Sequence, residues 1–168
     1  MARPATAFLS AGSNMGNRRE NLERALTSLR RAGVKARRVS PFYETEPVGF
    51  EEQPWFLNLA VEVETSLDPF ELLDACLAIE SAQGRIRTFR NAPRTLDLDI
   101  LLYGDLVISS PKLVIPHPRL EERRFVLAPL AQVAPDVMHP VLRKPIRSLL
   151  ENCRDSSTVR VFSPGGPP

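Results

Sequence analysis

Hydrophobic and polar residues alternate along residues 56–64, and this is the clearest strand pattern in the chain. Every second residue of this segment is Leu or Val. Because successive side chains of a strand point to opposite faces, these residues form one apolar face, and Phe56 and Asn58 lie on the other, non-core face. A shorter apolar run at residues 7–10 predicts another strand, followed by a turn-rich loop at residues 11–16.

Apolar residues at helical spacing, with a capping residue before each run, predict two amphipathic helices. Asn17 is the expected N-cap of the first helix, which Gly33 ends. Asp68 and Glu71 form the expected capping box of the second helix, which runs to Gly84.

The predicted elements follow the order β-α-β-β-α-β. A strand broken near Pro41 precedes the alternating strand, and an apolar segment at residues 96–103 follows the second helix. This order is typical of an α+β, ferredoxin-like core, in which a mainly antiparallel sheet carries both helices on one face. Further elements from about residue 104 onward are expected to cover the rest of the sheet. They are a hairpin strand at residues 106–108, a short strand at 112–115, and helices at 120–130 and 146–152.

Composition and charge favour one soluble domain. The 168 residues carry a net charge of +2, which argues against a general nucleic-acid-binding protein. The two cysteines lack metal-like spacing, and no signal peptide or membrane span is predicted. We therefore expect a cytoplasmic monomer without nucleic-acid or membrane partners. Residues 1–162 are assigned to the single domain and residues 163–168 to a disordered tail.

Two aspartates inside the predicted strand at residues 96–103 suggest a metal site. Asp97 and Asp99 point to one face of this strand, whereas Leu98 and Ile100 point into the core. Carboxylates this close raise each other's pKa unless a cation lies between them. Their hard oxygen atoms suit Mg²⁺, which binds one or two carboxylates together with water and phosphate oxygens. A solvated strand face is the alternative.

A dense group of arginines precedes these aspartates. The segment at residues 84–94 has no periodic apolar face and contains Gly84 and Pro93, so it reads as a loop. Guanidinium groups match phosphate oxygens and stay charged, so this loop and the aspartates together suit phosphoryl transfer. A solvated basic loop or a nucleic-acid patch is the alternative. The arginines are Arg85, Arg87, Arg90 and Arg94.

Six short motifs follow one another along the chain. They are Gly12-Ser13-Asn14, Phe42-Tyr43-Glu44-Thr45, Gln53-Pro54-Trp55-Phe56-Leu57-Asn58, Glu80-Ser81-Ala82-Gln83-Gly84-Arg85, Pro93-Arg94-Thr95-Leu96-Asp97-Leu98-Asp99-Ile100-Leu101 and Pro116-His117-Pro118-Arg119. With these motifs the chain resembles the 6-hydroxymethyl-7,8-dihydropterin pyrophosphokinases of folate biosynthesis, over about residues 7–140. The resemblance implies transfer of the β,γ-diphosphate of ATP, as a unit, to the hydroxymethyl oxygen of the pterin, with release of AMP.

The resemblance also implies roles for individual residues. Asp97 and Asp99 are expected to bind two Mg²⁺ ions that bridge the phosphates of ATP, and Arg85 and Arg94 complete the expected catalytic set. The expected contacts to ATP are Glu80, Arg85, Arg87, Arg94, Ile100, Lys112, His117 and Arg123. The expected contacts to the pterin are Thr45, Val48, Phe56, Asn58, Asp97 and Phe125, with the two phenylalanine rings on opposite faces of the heterocycle.

Some of these residues also have structural interpretations. Phe125 could be a core residue, Asn58 a polar residue of an exposed sheet face, and His117 a surface loop residue. Glu80 could cap or pair along its own helix. The chain also departs from the family, because Asn91-Ala92 stands where many members have Trp-Gly. This removes an aromatic residue from a loop that is expected to close over the substrates.

Two other classes of protein share parts of this pattern. RNA-binding ferredoxin-like domains carry basic loops, but they stack bases on a strand motif rich in glycine and aromatic residues that this chain lacks. Nucleotidyltransferases combine a Gly-Ser turn with a D-x-D strand close by in sequence. Here Gly12 and Asp97 are separated by a complete β-β-α segment. Release of AMP rather than pyrophosphate distinguishes pyrophosphoryl transfer from nucleotidyl transfer.

Overall fold

A computed structural model describes residues 3–85 and 89–163 of the chain. Its strands are β1 (Ala5–Ser13), β2 (Val34–Val39), β3 (Tyr43–Thr45), β4 (Phe56–Thr65), β5 (Asp97–Tyr103), β6 (Ile108–Ser109), β7 (Val114–Ile115) and β8 (Val159–Val161). Its helices are α1 (Arg18–Arg31), α2 (Pro69–Ala82), α3 (Arg124–Val133) and α4 (Ile146–Glu151), with a 3₁₀ turn at Leu120–Glu122. The expected disordered tail lies almost entirely outside the described residues.

The main sheet has the strand order β5-β1-β4-β3-β8, and β2 pairs with β4 beside β3. These neighbouring strands all run antiparallel to one another. The predicted α+β class, with a mainly antiparallel sheet flanked by helices, is confirmed. The described elements from β1 to β5 follow the order β-α-β-β-β-α-β, because the strand predicted to be broken near Pro41 is two strands, β2 and β3; the order is otherwise consistent with the prediction.

The two predicted helices begin at their expected caps. Asn17 Oδ1 accepts a hydrogen bond from the Glu20 amide at the start of α1, at 3.0 Å. Asp68 and Glu71 form a reciprocal capping box at the start of α2. Leu22 and Leu29 of α1 pack with Leu72 of α2 in one apolar cluster, which covers one face of the sheet.

The opposite face of the sheet is also covered. Ala60 of β4 belongs to a second apolar cluster, together with Val126 and Leu130 of α3 and Leu149 of α4. The prediction that this face is not part of the core was therefore wrong, because α3 packs against β4. Phe56, on the same face, is only 7% exposed.

The structure corrects two further predicted elements and adds one strand. Residues 11–13 extend β1 rather than forming a loop, because Gly12 pairs with β4 on one side and with β5 on the other. The hairpin after residue 104 joins β6 to β7 rather than to β5. Strand β8, which the sequence pattern did not predict, pairs with β3. Within the described residues, no helix is both long enough and apolar enough to span a membrane.

Candidate active site

The two aspartates of β5 lie on one side of an edge strand. Leu98 and Ile100, which alternate with them, pack in the first apolar cluster. Asp97 and Asp99 both line a cavity of about 490 Å³, which we call the cationic cavity. Burial, followed by the charges of Asp97 and Glu80, raises the pKa of Asp99 to about 8. The predicted face of the strand thus carries two close carboxylates, and the negative charge of Asp99 is poorly balanced by its surroundings.

Cationic side chains surround this pair. Arg85 Nη1 donates to Asp97 Oδ1 at 2.8 Å, and Arg94 Nε lies 3.4 Å from Asp97 Oδ2. The buried Nε of Arg94 has no hydrogen-bond acceptor in the described part of the chain. A buried donor without an acceptor is costly, so this atom depends on its ion pair with Asp97 for compensation. Other residues that line the cationic cavity are Phe89, Arg90, Asn91, His117 and Arg123.

Glu80 lies behind Arg85 rather than on the cavity wall. The residue is 3% exposed, and its Oε2 accepts hydrogen bonds from Arg85 Nη1 at 2.9 Å and from the Leu98 amide at 2.7 Å. A carboxylate in this position orients the guanidinium and fixes the strand that carries the aspartates. The structure therefore gives Glu80 a supporting position behind Arg85, and its expected contact with ATP stays a prediction.

His117 joins the cationic cavity to a smaller one. Its Nδ1 accepts a hydrogen bond from the Arg119 amide at 3.2 Å. Burial, followed by the charge of Arg123, lowers the pKa of His117 to about 4, so the ring is neutral and carries its proton on Nε2. The smaller cavity, of about 230 Å³, is also lined by Ile100 and Lys112, and we call it the side cavity. It includes two further expected nucleotide contacts.

A third cavity, of about 130 Å³, lies on the other side of Asp97, and we call it the slot. All six residues expected to contact the pterin line it: Thr45, Val48, Phe56, Asn58, Asp97 and Phe125. Inside the slot, Asn58 Nδ2 donates to Thr45 Oγ1 at 2.6 Å. Both of these polar residues are buried, at 4% and 1% exposure, so their orientation is fixed by the protein.

The slot and the cationic cavity meet at Asp97 and Arg94, which line both of them. The guanidinium carbon of Arg94 lies 4.7 Å from the centroid of the Phe56 ring, within cation–π range. A flat ligand in the slot and an anion in the cationic cavity would therefore approach each other beside one carboxylate and one guanidinium.

Comparison with known proteins identifies the family. Residues 8–135 match the family model of 7,8-dihydro-6-hydroxymethylpterin-pyrophosphokinase (HPPK). The chain belongs to the HPPK family. The resemblance inferred from the six motifs is confirmed, and with it the assignment to the pyrophosphokinases.

Relatives of the chain include proteins of similar length and much longer proteins. It is 50% identical over 132 residues to a 2-amino-4-hydroxy-6-hydroxymethyldihydropteridine pyrophosphokinase of Bacillus subtilis, covering 78% of this chain and 79% of that protein. It is 44% identical over 158 residues to the folic acid synthesis protein fol1 of Schizosaccharomyces pombe. That match covers 94% of this chain and 21% of the longer protein.

A solved structure shares the fold. Plasmodium falciparum HPPK-DHPS with pterin and p-hydroxybenzoate matches with a TM-score of 0.74 at 20% sequence identity. The match covers 90% of this chain and 44% of that chain. The HPPK chain thus spans less than half of the solved HPPK-DHPS chain and about a fifth of the Schizosaccharomyces pombe protein.

Gly12 is a residue of this HPPK site for which the sequence analysis gave no role. A Cβ atom on Gly12 would lie 2.3 Å from Asn58 Oδ1. Glycine is therefore required if the Asn58 amide is to lie across the end of β1 and line the slot. The Gly12-Ser13-Asn14 motif was a visible signal, but only the pairing of β1 with β4 reveals what the glycine contacts.

Two loops of the HPPK chain contact each other at the entrance to the site. The rings of Phe50 and Phe89 pack edge to face with centroids 5.3 Å apart. Gly49 has a φ of +93°, and a Cβ there would lie 2.3 Å from Asn91 Nδ2. Asn91 lines both the slot and the cationic cavity, although the sequence analysis treated it only as a departure from the family. Arg87, an expected ATP contact, lies outside the described residues.

Within the described part of the chain, acidic and other ligating residues do not form a larger metal cluster. No group of three or more His, Cys, Asp or Glu side chains suited to a metal ion occurs in residues 3–85 and 89–163. Asp97 and Asp99 are thus the candidate metal ligands at the site. Two carboxylates suffice for Mg²⁺ when phosphate oxygens and water complete its coordination.

Proposed function

We propose that the chain transfers the β,γ-diphosphate of ATP to the hydroxymethyl oxygen of 6-hydroxymethyl-7,8-dihydropterin and releases AMP, a step of folate biosynthesis. The observation that carries the proposal is the meeting of the slot and the cationic cavity at Asp97. One cavity suits a flat heterocycle and the other a polyphosphate. Membership of the HPPK family supports this pairing of substrates.

The slot has the chemistry that a pterin requires. A pterin is planar and carries hydrogen-bonding groups around its edge. Phe56 and Phe125 supply aromatic surface, while Asn58 and Thr45 supply polar atoms whose positions are fixed by their mutual hydrogen bond. Stacking on the rings together with hydrogen bonds to the edge is the mode of binding that these side chains support.

The cationic cavity and the side cavity together suit ATP. Arg85, Arg94 and Arg123 line the cationic cavity, where they would neutralise the triphosphate. The side cavity offers apolar surface from Ile100 and Leu113 for the nucleoside. His117, which lines both, would donate its Nε2 proton to an oxygen of the nucleotide at the junction.

Asp97 and Asp99 fit Mg²⁺ by the kind and number of their donors. Burial, followed by the charges of Asp97 and Glu80, raises the pKa of Asp99, and a divalent cation bound at the carboxylate pair would favour its ionised form. Bound at these two residues, two Mg²⁺ ions would neutralise charge on the phosphates of ATP. Two aspartates in a strand whose other face is buried provide a rigid base for this arrangement.

The reaction itself is an in-line displacement at the β-phosphorus. The oxygen of the pterin hydroxymethyl group forms a bond to this phosphorus and gives up its proton to water or to a phosphate oxygen. The bond from the β-phosphorus to the α,β-bridging oxygen breaks, so that AMP leaves with that oxygen. Arg94, between the slot and the cationic cavity, lies where it can hold the transferred group against the pterin oxygen. Catalysis in this scheme comes from positioning and charge neutralisation.

The test is to incubate the purified chain with ATP, Mg²⁺ and 6-hydroxymethyl-7,8-dihydropterin and to separate the products by chromatography. The expected products are AMP and the pterin diphosphate, in equal amounts, and both require the pterin. Formation of pyrophosphate would indicate nucleotidyl transfer, and formation of ADP would indicate transfer of a single phosphoryl group. Either result would contradict the proposal.

We also propose that residues 1–162 act as one domain. Both apolar clusters pack on the same sheet, and the slot uses residues from β3, β4, β5 and α3. The site therefore depends on elements from both sides of the sheet.

A further inference from the structure

Asn14 has no role in the function proposed above, although it belongs to a motif near the site. It is the first residue after β1, and it is only 2% exposed. A buried side-chain amide must satisfy one acceptor and two donors within the protein. Its partners therefore show what the residue holds in place.

The first partner is Arg94. The backbone amide of Arg94 donates to the side-chain Oδ1 of Asn14 at 2.8 Å. The backbone amide of Asn14 donates to the Arg94 carbonyl at 3.1 Å. These two bonds fix the backbone of Arg94 against the end of β1, 80 residues away in sequence. The arginine held in this way lines both the slot and the cationic cavity, as Arg123 also does.

The second set of partners belongs to the loop that precedes β4. Asn14 Nδ2 donates to Gln53 Oε1 at 2.8 Å and to the Pro54 carbonyl at 3.0 Å. Gln53 Nε2 in turn donates to the carbonyls of Phe50 and Asn91, the latter at 3.0 Å. The side-chain amides of Asn14 and Gln53 thus link the end of β1, the loop before β4 and the loop at residues 84–94, which we call the arginine loop.

We propose that Asn14 is a positioning residue. Through Gln53 and the Arg94 backbone it holds the loop before β4 and the arginine loop in fixed positions relative to each other, so that the Arg94 guanidinium faces Asp97 and Phe56. The proposal rests on the proposed function, in which Arg94 contacts the transferred group. Asn14 lines none of the three cavities, so it acts through Arg94 and Gln53 rather than on a substrate.

Asn21 provides a matched control. Its Nδ2 also makes two donations, to Ser13 Oγ at 3.1 Å and to the Met15 carbonyl at 2.8 Å. It therefore tethers the same turn after β1, but to α1 and away from the cavities. Asn21→Ala removes as many side-chain donations as Asn14→Ala without touching Arg94 or Gln53.

The experiment measures steady-state AMP formation and amide hydrogen exchange for the full chain and for Asn14→Ala, Gln53→Ala, the double variant and Asn21→Ala. We expect Asn14→Ala to lower kcat by about 10²-fold, the size of effect that a small misplacement of a catalytic group produces. The KM values should change by no more than about threefold, because the substrate contacts themselves are retained. The Arg94 amide should exchange faster than in the parent and in Asn21→Ala.

The double variant gives a second readout. If Asn14 and Gln53 act as one unit, the loss of kcat in the double variant should equal that of Asn14→Ala alone, whereas independent residues would show losses that multiply. If Asn14→Ala does not fold, Gln53→Ala still tests the link to Asn91, since it leaves the pairing of Asn14 with Arg94 intact.

Different outcomes separate this inference from the function on which it rests. Equal kcat values and equal Arg94 exchange in Asn14→Ala and Asn21→Ala would overturn the positioning role while AMP formation by the parent upheld the function. If the parent makes no AMP, the proposed function fails. Exchange at Arg94, which needs no turnover, then decides whether Asn14 holds that residue.

Discussion

The slot and the cationic cavity share Asp97 and Arg94, yet their walls are built in opposite ways. In the part of the slot formed by the sheet, two polar groups satisfy each other, since Asn58 donates to Thr45 and both are buried in strands. Charged side chains, among them Arg119 and Arg123, line the rest of the slot. In the cationic cavity, charges are left without full compensation. Asp99 has a raised pKa, and the buried Nε of Arg94 lacks an acceptor in the described part of the chain.

This difference reflects what each cavity must select. A flat, uncharged ligand is recognised by shape and by a few fixed hydrogen bonds, so a rigid slot made by strands serves best. A polyphosphate with its cations is recognised by charge, so the protein leaves charges to be balanced when the ligand binds. Substitutions in the slot should therefore change binding of the pterin, and substitutions in the cationic cavity should change turnover.

The largest effect is expected at the carboxylate pair. Asp97→Ala and Asp99→Ala should each lower kcat by at least about 10³-fold, because the charge stabilisation at the phosphates is lost. The circular dichroism spectrum should not change, since the core side of β5 is untouched. Asp105→Ala, in the exposed turn after β5, makes the same charge change and should leave kcat unchanged. A double variant with near-normal turnover in Mg²⁺ would contradict the metal assignment.

The arginines of the cationic cavity should come next. Arg85→Ala and Arg94→Ala should each cost about 2–4 kcal/mol of transition-state stabilisation, a factor on the order of ten to a thousand in kcat/KM. Arg30→Ala, in the last turn of α1, removes the same charge and should behave like the parent. If all three variants had equal kcat/KM values, the arginine loop would be only a solvated surface.

A smaller and more selective effect is expected in the slot. Gly12→Ala should push the Asn58 amide out of place and weaken pterin binding by about 1–3 kcal/mol, judged from base-stacking and edge contacts, while ATP affinity stays unchanged. Calorimetry with each ligand measures both. In an Asn58→Ala background the clash is absent, so adding Gly12→Ala should have no further effect on pterin binding. Equal weakening of ATP and pterin would show that the two cavities are not separate.

The last effect is on unfolding rather than on binding or turnover, and it concerns the stability of the metal-free protein. Asp99 binds its proton more tightly when folded, with a pKa of about 8 against an ordinary value of 3.8. The stabilising contribution of this proton to the free energy of unfolding is therefore fully present below pH 3.8, and it is lost as the pH rises toward 8. Urea unfolding in EDTA at pH 5 and pH 8 should show this decline, and Asp99→Asn should reduce it. An unchanged decline in Asp99→Asn would show that another group is responsible.

Local patterns in the sequence were sufficient to predict the carboxylate face of β5 and both helix caps, whereas the six residues that line the slot were expected only from the resemblance to the family. Elements after residue 104 were expected to cover the rest of the sheet, but the patterns could not predict that α3 packs on the second face of β4. Alternation reports the direction of a side chain and not its neighbour. Nor could the patterns predict contacts between distant segments. The pairing of Asn14 with Arg94 and the space that Gly12 leaves for Asn58 exist only once β1, β4 and β5 lie side by side.

Strand β8 shows the same limit at shorter range. It has only three residues, too few for a periodic pattern, and it forms because β3 offers an unpaired edge. Glu44 of β3, which pairs with both Arg18 and Arg160, joins this edge to α1 and β8. Such a network depends on tertiary contacts and leaves no local signal in the sequence.

The most direct test of the central claim follows the α,β-bridging oxygen of ATP. The chain is supplied with ATP that carries ¹⁸O at this position, together with Mg²⁺ and 6-hydroxymethyl-7,8-dihydropterin, and the products are analysed by mass spectrometry. Attack at the β-phosphorus, where the slot meets the cationic cavity, predicts that the label leaves in AMP. Label found in pyrophosphate, or retained in ADP, would contradict the account.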